Sequence, residues 1–169
     1  MEKKGVCFAR KFILAVGVFF LLLILPAVNA EAKEVSLVKG DAIRYMGYST
    51  HYYYVDGNLA FCLEPDMKSP GNGAYSASEL DPKSHLSKAM YYMYGGPGYE
   101  QYIKSSLTGG WGEDANAYCL THCVLSYIYD GCDQNSAAFK GLNADIASAV
   151  VMYADYVKNL PDIPDAELA

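Results

Sequence analysis

The side chains able to carry chemistry fall in two places. In EDANAYCLTHCVLSYIYDG, residues 113–131, Cys119, His122, Cys123 and Ser126 stand at i, i+3, i+4 and i+7. On a helix that spacing stacks two thiols, an imidazole and a hydroxyl along one line. Far upstream, Cys62 lies near the end of the strand-like run Leu59-Ala60-Phe61-Cys62-Leu63, on the face opposite Leu59, Phe61 and Leu63, before Glu64-Pro65 stops it. Thiols and imidazoles support three chemistries: an activated nucleophile, a metal site, or, for two thiols, a disulfide. The polar line on 113–131 needs a partner, and that partner decides among them.

The elements that must position these residues are legible in outline. Leu120, Val124, Tyr127 and Ile128 form one apolar stripe of 113–131, while Tyr118, Leu125 and Tyr129 cover another side. A helix apolar nearly all round belongs in the core. Asp114 is the expected N-cap and Gly131 the expected left-handed terminator. Val35 to Tyr48 predicts one or two short strands; His51–Val55 and Leu59–Leu63 predict a hairpin around Asp56-Gly57-Asn58. Asp66 to Asp81 reads as loop. Asp81-Pro82 then opens a helix with Leu86, Ala89, Met90 and Met93 inward and Gly95-Gly96-Pro97 as its stop. Tyr99 to Gly112 is a connector, and Asn143 to Leu160 a third helix carried by Ile146, Val150, Tyr153 and Val157. The expected class is α+β, an N-terminal hairpin or small antiparallel sheet packed on a buried central helix and two further helices. One domain is expected over residues 33–169.

Residues 1–32 read as a secretory signal peptide: basic Lys3, Lys4, Arg10 and Lys11, an apolar run from Phe12 to Leu25, and small residues for cleavage near Ala30 or Ala32. The apolar run is shorter than the ~20 residues a bilayer requires. Export permits disulfides, so the mature cysteines Cys62, Cys119, Cys123 and Cys132 are candidates for bridges, although Cys119 and Cys123, one helical turn apart, pair poorly with each other. The formal net charge of −6, more negative once the basic leader is gone, excludes nucleic acid and anionic lipid as partners. No phosphate-cradling glycine loop and no HExxH pattern occurs, and no cofactor is expected. His51 and His85 read as surface or capping residues, and Trp111 as a core plug more readily than a binding aromatic.

In order and spacing these pieces resemble the thioester domain of Gram-positive surface adhesins and pilus tips. The resemblance is strongest over residues 45–131. Phe61-Cys62-Leu63-Glu64-Pro65 is similar to the family's cysteine segment, and Thr121-His122-Cys123-Val124, closing on Tyr129-Asp130-Gly131, to its Thr-Gln-x-Ala helix motif. The resemblance implies that Cys62 and position 122 face each other. In the family a glutamine at that position joins the cysteine in a thioester, a stored electrophile that an amine on a host protein opens. Here the position is His122, which has no carboxamide, and the remaining glutamines, Gln101 and Gln134, lie outside the motif. The resemblance therefore implies a secreted, cell-surface adhesion module that takes a host or surface protein as ligand, alone or within a longer wall-anchored protein or pilus, without the usual Cys-Gln thioester.

Three states of the site stay open. Cys62 and His122 could form the dyad of an acyl-transfer or hydrolytic enzyme, although no Asp or Asn is placed by sequence to orient the imidazole. Cys62, Cys119, Cys123 and His122 could bind a metal, but the paired CxxC knuckles that mark such sites are missing, and no metal is expected. In the third, Cys62 is bridged to Cys119 or Cys123 or stays a free thiol, and His122 is a hydrogen-bonded core residue.

Overall fold

The computed structural model describes residues 33–165. The expected signal peptide, residues 1–32, lies outside them. β1 (Lys33–Tyr45), β2 (Tyr48–Val55) and β3 (Asn58–Ala60) follow one another through two-residue turns. Met46 and Gly47 have φ of 49° and 87°, Asp56 and Gly57 of 50° and 83°. Two successive left-handed residues make the type I′ geometry whose twist suits antiparallel neighbours. Asp56 also accepts a hydrogen bond from the Ser36 N–H at 2.8 Å, pinning the second turn to β1.

β4 (Gly73–Ala77) returns to pair antiparallel with the start of β1, Glu34 opposite Ser76, so the sheet runs β3-β2-β1-β4. This corrects the loop expected over 66–81. The β4 residues are largely exposed and show no apolar alternation; pairing with β1, not their own pattern, makes them a strand. β1 is correspondingly one 13-residue strand where one or two short ones were expected.

α1 (His85–Tyr92) begins later than Asp81-Pro82 because Ser84 caps it, its hydroxyl accepting from the Ser87 N–H at 3.1 Å. The connector holds a short helix, α2 (Tyr99–Tyr102), and two 3-10 turns at Lys104–Ser106 and Gly109–Gly112. The central helix, α3 (Asp114–Tyr129), has Glu113 rather than Asp114 at its N-cap position, with no side-chain cap hydrogen bond, and Asp114 in its first turn. It ends as expected at Gly131, φ 73°, where the Cys132 N–H reaches the Tyr127 carbonyl at 2.9 Å and the Gly131 N–H that of Ile128 at 3.0 Å. That pair of bonds is the Schellman closure. After the four-residue α4 (Ala137–Lys140), α5 (Ala144–Lys158) starts at Asn143, whose side chain accepts from the Ile146 N–H at 2.9 Å.

α3 is buried from Ala117 to Ile128. Its Leu120, Val124 and Leu125 are fully covered and share one core with Ala89 of α1, Ile103, and Val150 and Val157 of α5. Each such aliphatic side chain removed from water contributes about 1.5–3 kcal/mol, so α3 is held by packing against its neighbours rather than by its own propensity. The fold is α+β, as expected. Among the described residues no helix is long and apolar enough to cross a membrane.

Candidate functional site

The polar line on α3 does find partners, and they come from β2 and the segment after β3. Cys119, His122, Cys123 and Ser126 are all buried. His122 Nδ1 lies 2.7 Å from the hydroxyl of Tyr48, the first residue of β2, and the two rings sit 5.7 Å apart. The Ser126 hydroxyl donates to the backbone carbonyl of Cys62 at 3.4 Å. One turn before His122 on α3, the Tyr118 hydroxyl accepts from the Tyr53 N–H at 3.2 Å and faces the carbonyls of Ala60 at 2.8 Å and His51 at 3.0 Å. Tyr118 thus satisfies backbone groups where β2 and β3 stop pairing, and this fixes the exit path of the Cys62 segment.

Burial governs the electrostatics. It lowers the His122 pKa to about 4, so the imidazole is neutral at physiological pH. It raises Cys119 to about 11 and pushes Cys123 well above the ordinary thiol range. Tyr48 is raised too, by burial first and then by Cys123, so its phenol keeps its proton. The Tyr48 hydroxyl and the neutral imidazole share one hydrogen bond at Nδ1, which leaves Nε2 as the other ring nitrogen to be satisfied. That nitrogen is buried and has no hydrogen-bond partner.

Cys62 and His122 line the same cavity, of about 210 Å³, together with Tyr48, Thr50, Tyr53 and Ser69. Thr50, Tyr53 and His122 are buried, Cys62 is half-buried, and Ser49, Met67 and Ser69 on the rim are exposed. The Tyr53 and Ser69 hydroxyls are hydrogen-bonded to each other, and Lys39 Nζ donates to Ser69 at 3.2 Å, which holds the 62–69 segment across β1 and β2.

A family model described as a thioester domain matches residues 34–164, nearly the whole of the described chain. The chain belongs to the thioester-domain family. Comparisons with curated proteins and with solved structures give no match.

Within this thioester domain the sequence-predicted residues divide. Cys62 and His122 reach one cavity; Ser126 holds the Cys62 backbone; Cys119 and Cys123 stay inside the core beside Tyr48. Cys132 is exposed beyond the helix stop. Of the two states left open for the thiols, bridged or free, the structure has the free one: Cys62, Cys119, Cys123 and Cys132 are all unpaired. The Cys62 Sγ instead approaches the carbonyl of Glu64, 3.8 Å away, while Cys119 and Cys123 share one helix face. Among the described residues no group of three His, Cys, Asp or Glu could hold a metal ion. His85, half-buried at the first position of α1, donates from Nε2 to the Ala154 carbonyl at 3.0 Å and ties α1 to α5. Trp111 is partly buried and packs edge-on to Tyr45 at 4.8 Å. The residue that sequence reasoning missed is Tyr48. Seventy-four positions separate it from His122, and a tyrosine among many tyrosines carries no local signal of that pairing.

Proposed function

We propose that this thioester domain is an attachment module of a Gram-positive cell surface that holds a host or surface protein without the covalent step. The supporting observation is the side chain at position 122 of α3. His122 supplies no acyl group, its Nδ1 is engaged by Tyr48, and Gln101 and Gln134 are exposed and outside the cavity that holds Cys62. Export through the leader, and a place at the front of a longer wall-anchored protein or pilus, belong to the same reading. So does a single module over 33–169. A Cys62–His122 hydrolase has less support. A general base works best with a pKa near the operating pH, whereas burial holds His122 at about 4.

The test is the intact mass of residues 32–169, which form one compact unit, taken with and without methylamine. The full calculated mass, unchanged by methylamine, is expected, together with ligand binding that reverses on dilution. A mass lower by one ammonia, with methylamine adding across the bond, would overturn the proposal.

A further inference from the structure

The sheet has two edges, and they are treated differently. β3 is only three residues long, and where its pairing with β2 stops, the Tyr118 hydroxyl sits against the His51 and Ala60 carbonyls and the Tyr53 N–H. A short strand with its loose backbone groups already engaged resists pairing with another chain. β4, at the opposite edge, has no such protection. Gly73-Ala74-Tyr75-Ser76-Ala77 carries no charge and no proline, pairs with β1 in unbroken register, and is exposed as far as Ser76. Among the described residues no other segment makes a backbone hydrogen bond to its outer side. The direction of its free groups follows from the register. The Ser36 carbonyl accepts from the Asp56 N–H at 2.9 Å and the Ser36 N–H donates to the Asp56 side chain at 2.8 Å, so Ser36 faces the β2 side of β1. Val35 and Leu37, one step away on the strand, therefore face β4; the Lys39 N–H, donating to Asn72 Oδ1 at 2.7 Å, keeps the alternation. Val35 stands opposite Tyr75 and Leu37 opposite Gly73, so Tyr75 and Gly73 bond to β1 while Ala74 and Ser76 aim N–H and C=O outward.

A second copy of the chain fits this edge. About a two-fold axis at Tyr75, Ala74 of each copy faces Ser76 of the other and both pairs exchange N–H···O=C bonds, while the two Tyr75 rings, each 42% exposed, come side by side. The charges agree. Lys68 and Lys39, the latter bonded to Ser69, lie at the Gly73 end, whereas Glu79 and Asp81 follow the Ala77 end. Lys33 and Glu34 of β1, beside Ala77 and Ser76, offset each other. Antiparallel self-pairing thus brings each basic end to an acidic one, in a chain whose net charge of −6 otherwise opposes association. We propose that β4 is a self-association edge, at which two copies join antiparallel about Tyr75 and merge their four-stranded sheets into one. One strand per copy is a small contact beside the ~1,200 Å² of a stable interface, so the dimer is reversible and concentration-dependent. On the proposed cell-surface reading, tethered copies would reach the concentrations that favour it and hold a repetitive ligand at two points; the pairing itself does not depend on that reading or on the state of Cys62.

The experiment is sedimentation equilibrium of residues 32–169, which form one compact unit, with reductant present so that exposed Cys132 cannot bridge two copies. From about 10 μM to 1 mM the average mass is expected to climb from that of the monomer towards twice it. Exchange of the Ala74 and Ser76 amides should slow in step. Ser76→Pro removes an outward N–H that β1 does not use, so it should keep the urea midpoint and stay monomeric throughout. Tyr75→Lys and Tyr75→Glu, each placing like charges opposite one another, should each be monomeric alone and associate when mixed, because position 75 meets itself only in this register. That mixture decides the matter should Ser76→Pro fail to fold. A folded parent that stays monomeric at 1 mM would overturn the proposal and leave the edge to an extended segment of a different protein. So would a dimer that ignores both Tyr75 changes, or one that both abolish without recovery in the mixture.

Discussion

His122 decides two properties at the residue scale. Unfolded, its imidazole titrates near 6.5; folded, burial holds it at about 4. Between those values the unfolded chain binds a proton that the folded chain refuses, so stability is lost as pH falls from 6.5 towards 4. One pKa unit is worth 1.36 kcal/mol, so the loss between pH 7 and 4.5 should be about 2 kcal/mol. Urea unfolding at the two pH values checks this, with His122→Gln as comparison. If the variant loses as much stability as the parent, other groups carry the effect. The same variant also probes the chemistry, because it puts a carboxamide at the position that the proposed reading equates with the family's glutamine. With Cys62 on the same cavity, its intact mass should drop by one ammonia and methylamine should add back; an unchanged mass would show that Cys62 is out of reach of position 122.

At the element scale, stability turns on how helices begin and end. Asn143 caps α5 through the Ile146 N–H, and its Nδ2 donates to the Met46 carbonyl in the β1–β2 turn, so one side chain joins helix to sheet. Asn143→Ala should cost about 1 kcal/mol or somewhat more, read as a lower urea midpoint. Two glycines separate two kinds of constraint. At Gly131 the backbone is left-handed with open space around it, so Gly131→Ala should cost about 1–2 kcal/mol from conformation alone. At Gly96 a Cβ would collide with the carbonyls of Met90 and Tyr91, backbone that cannot step aside, so Gly96→Ala should cost more than Gly131→Ala. Equal losses would mean that the loop after α1 gives way. The Gly131 stop, the start of α5 at Asn143 and the Asp56-Gly57 turn were legible because each is written in a few adjacent residues. β4 was not, because Ala74, Tyr75 and Ser76 become a strand only through the backbone of Ser36, Val35 and Glu34. The start of α1 was displaced because Ser84, closer to the apolar run, outcompetes Asp81-Pro82 as a cap.

Across the whole molecule, the order of the Cys62 and Thr121-His122 segments carried the family, while the cavity between them depended on long-range placement of Tyr48, Thr50 and Ser69 that no local pattern announces. The same holds for the thiols. Export and an even count of mature cysteines suggested bridges, yet the fold puts Cys119 and Cys123 inside the core, Cys62 at a cavity wall and Cys132 beyond the helix stop, all free. A domain of this length with a continuous core from α1 to α5 can stand without covalent staples. Thermal unfolding with and without reductant should therefore coincide. Thiol labelling should follow exposure, since a buried thiol with a raised pKa reacts only when the structure opens. Cys132 and Cys62 should react in the native protein, whereas Cys119 and Cys123, with pKa raised by burial, should require urea. If one pair stays unreactive even in urea until reductant is added, a bridge exists in solution; the melting temperature would then fall on reduction, and Cys62 would be a staple instead of a wall of an open cavity.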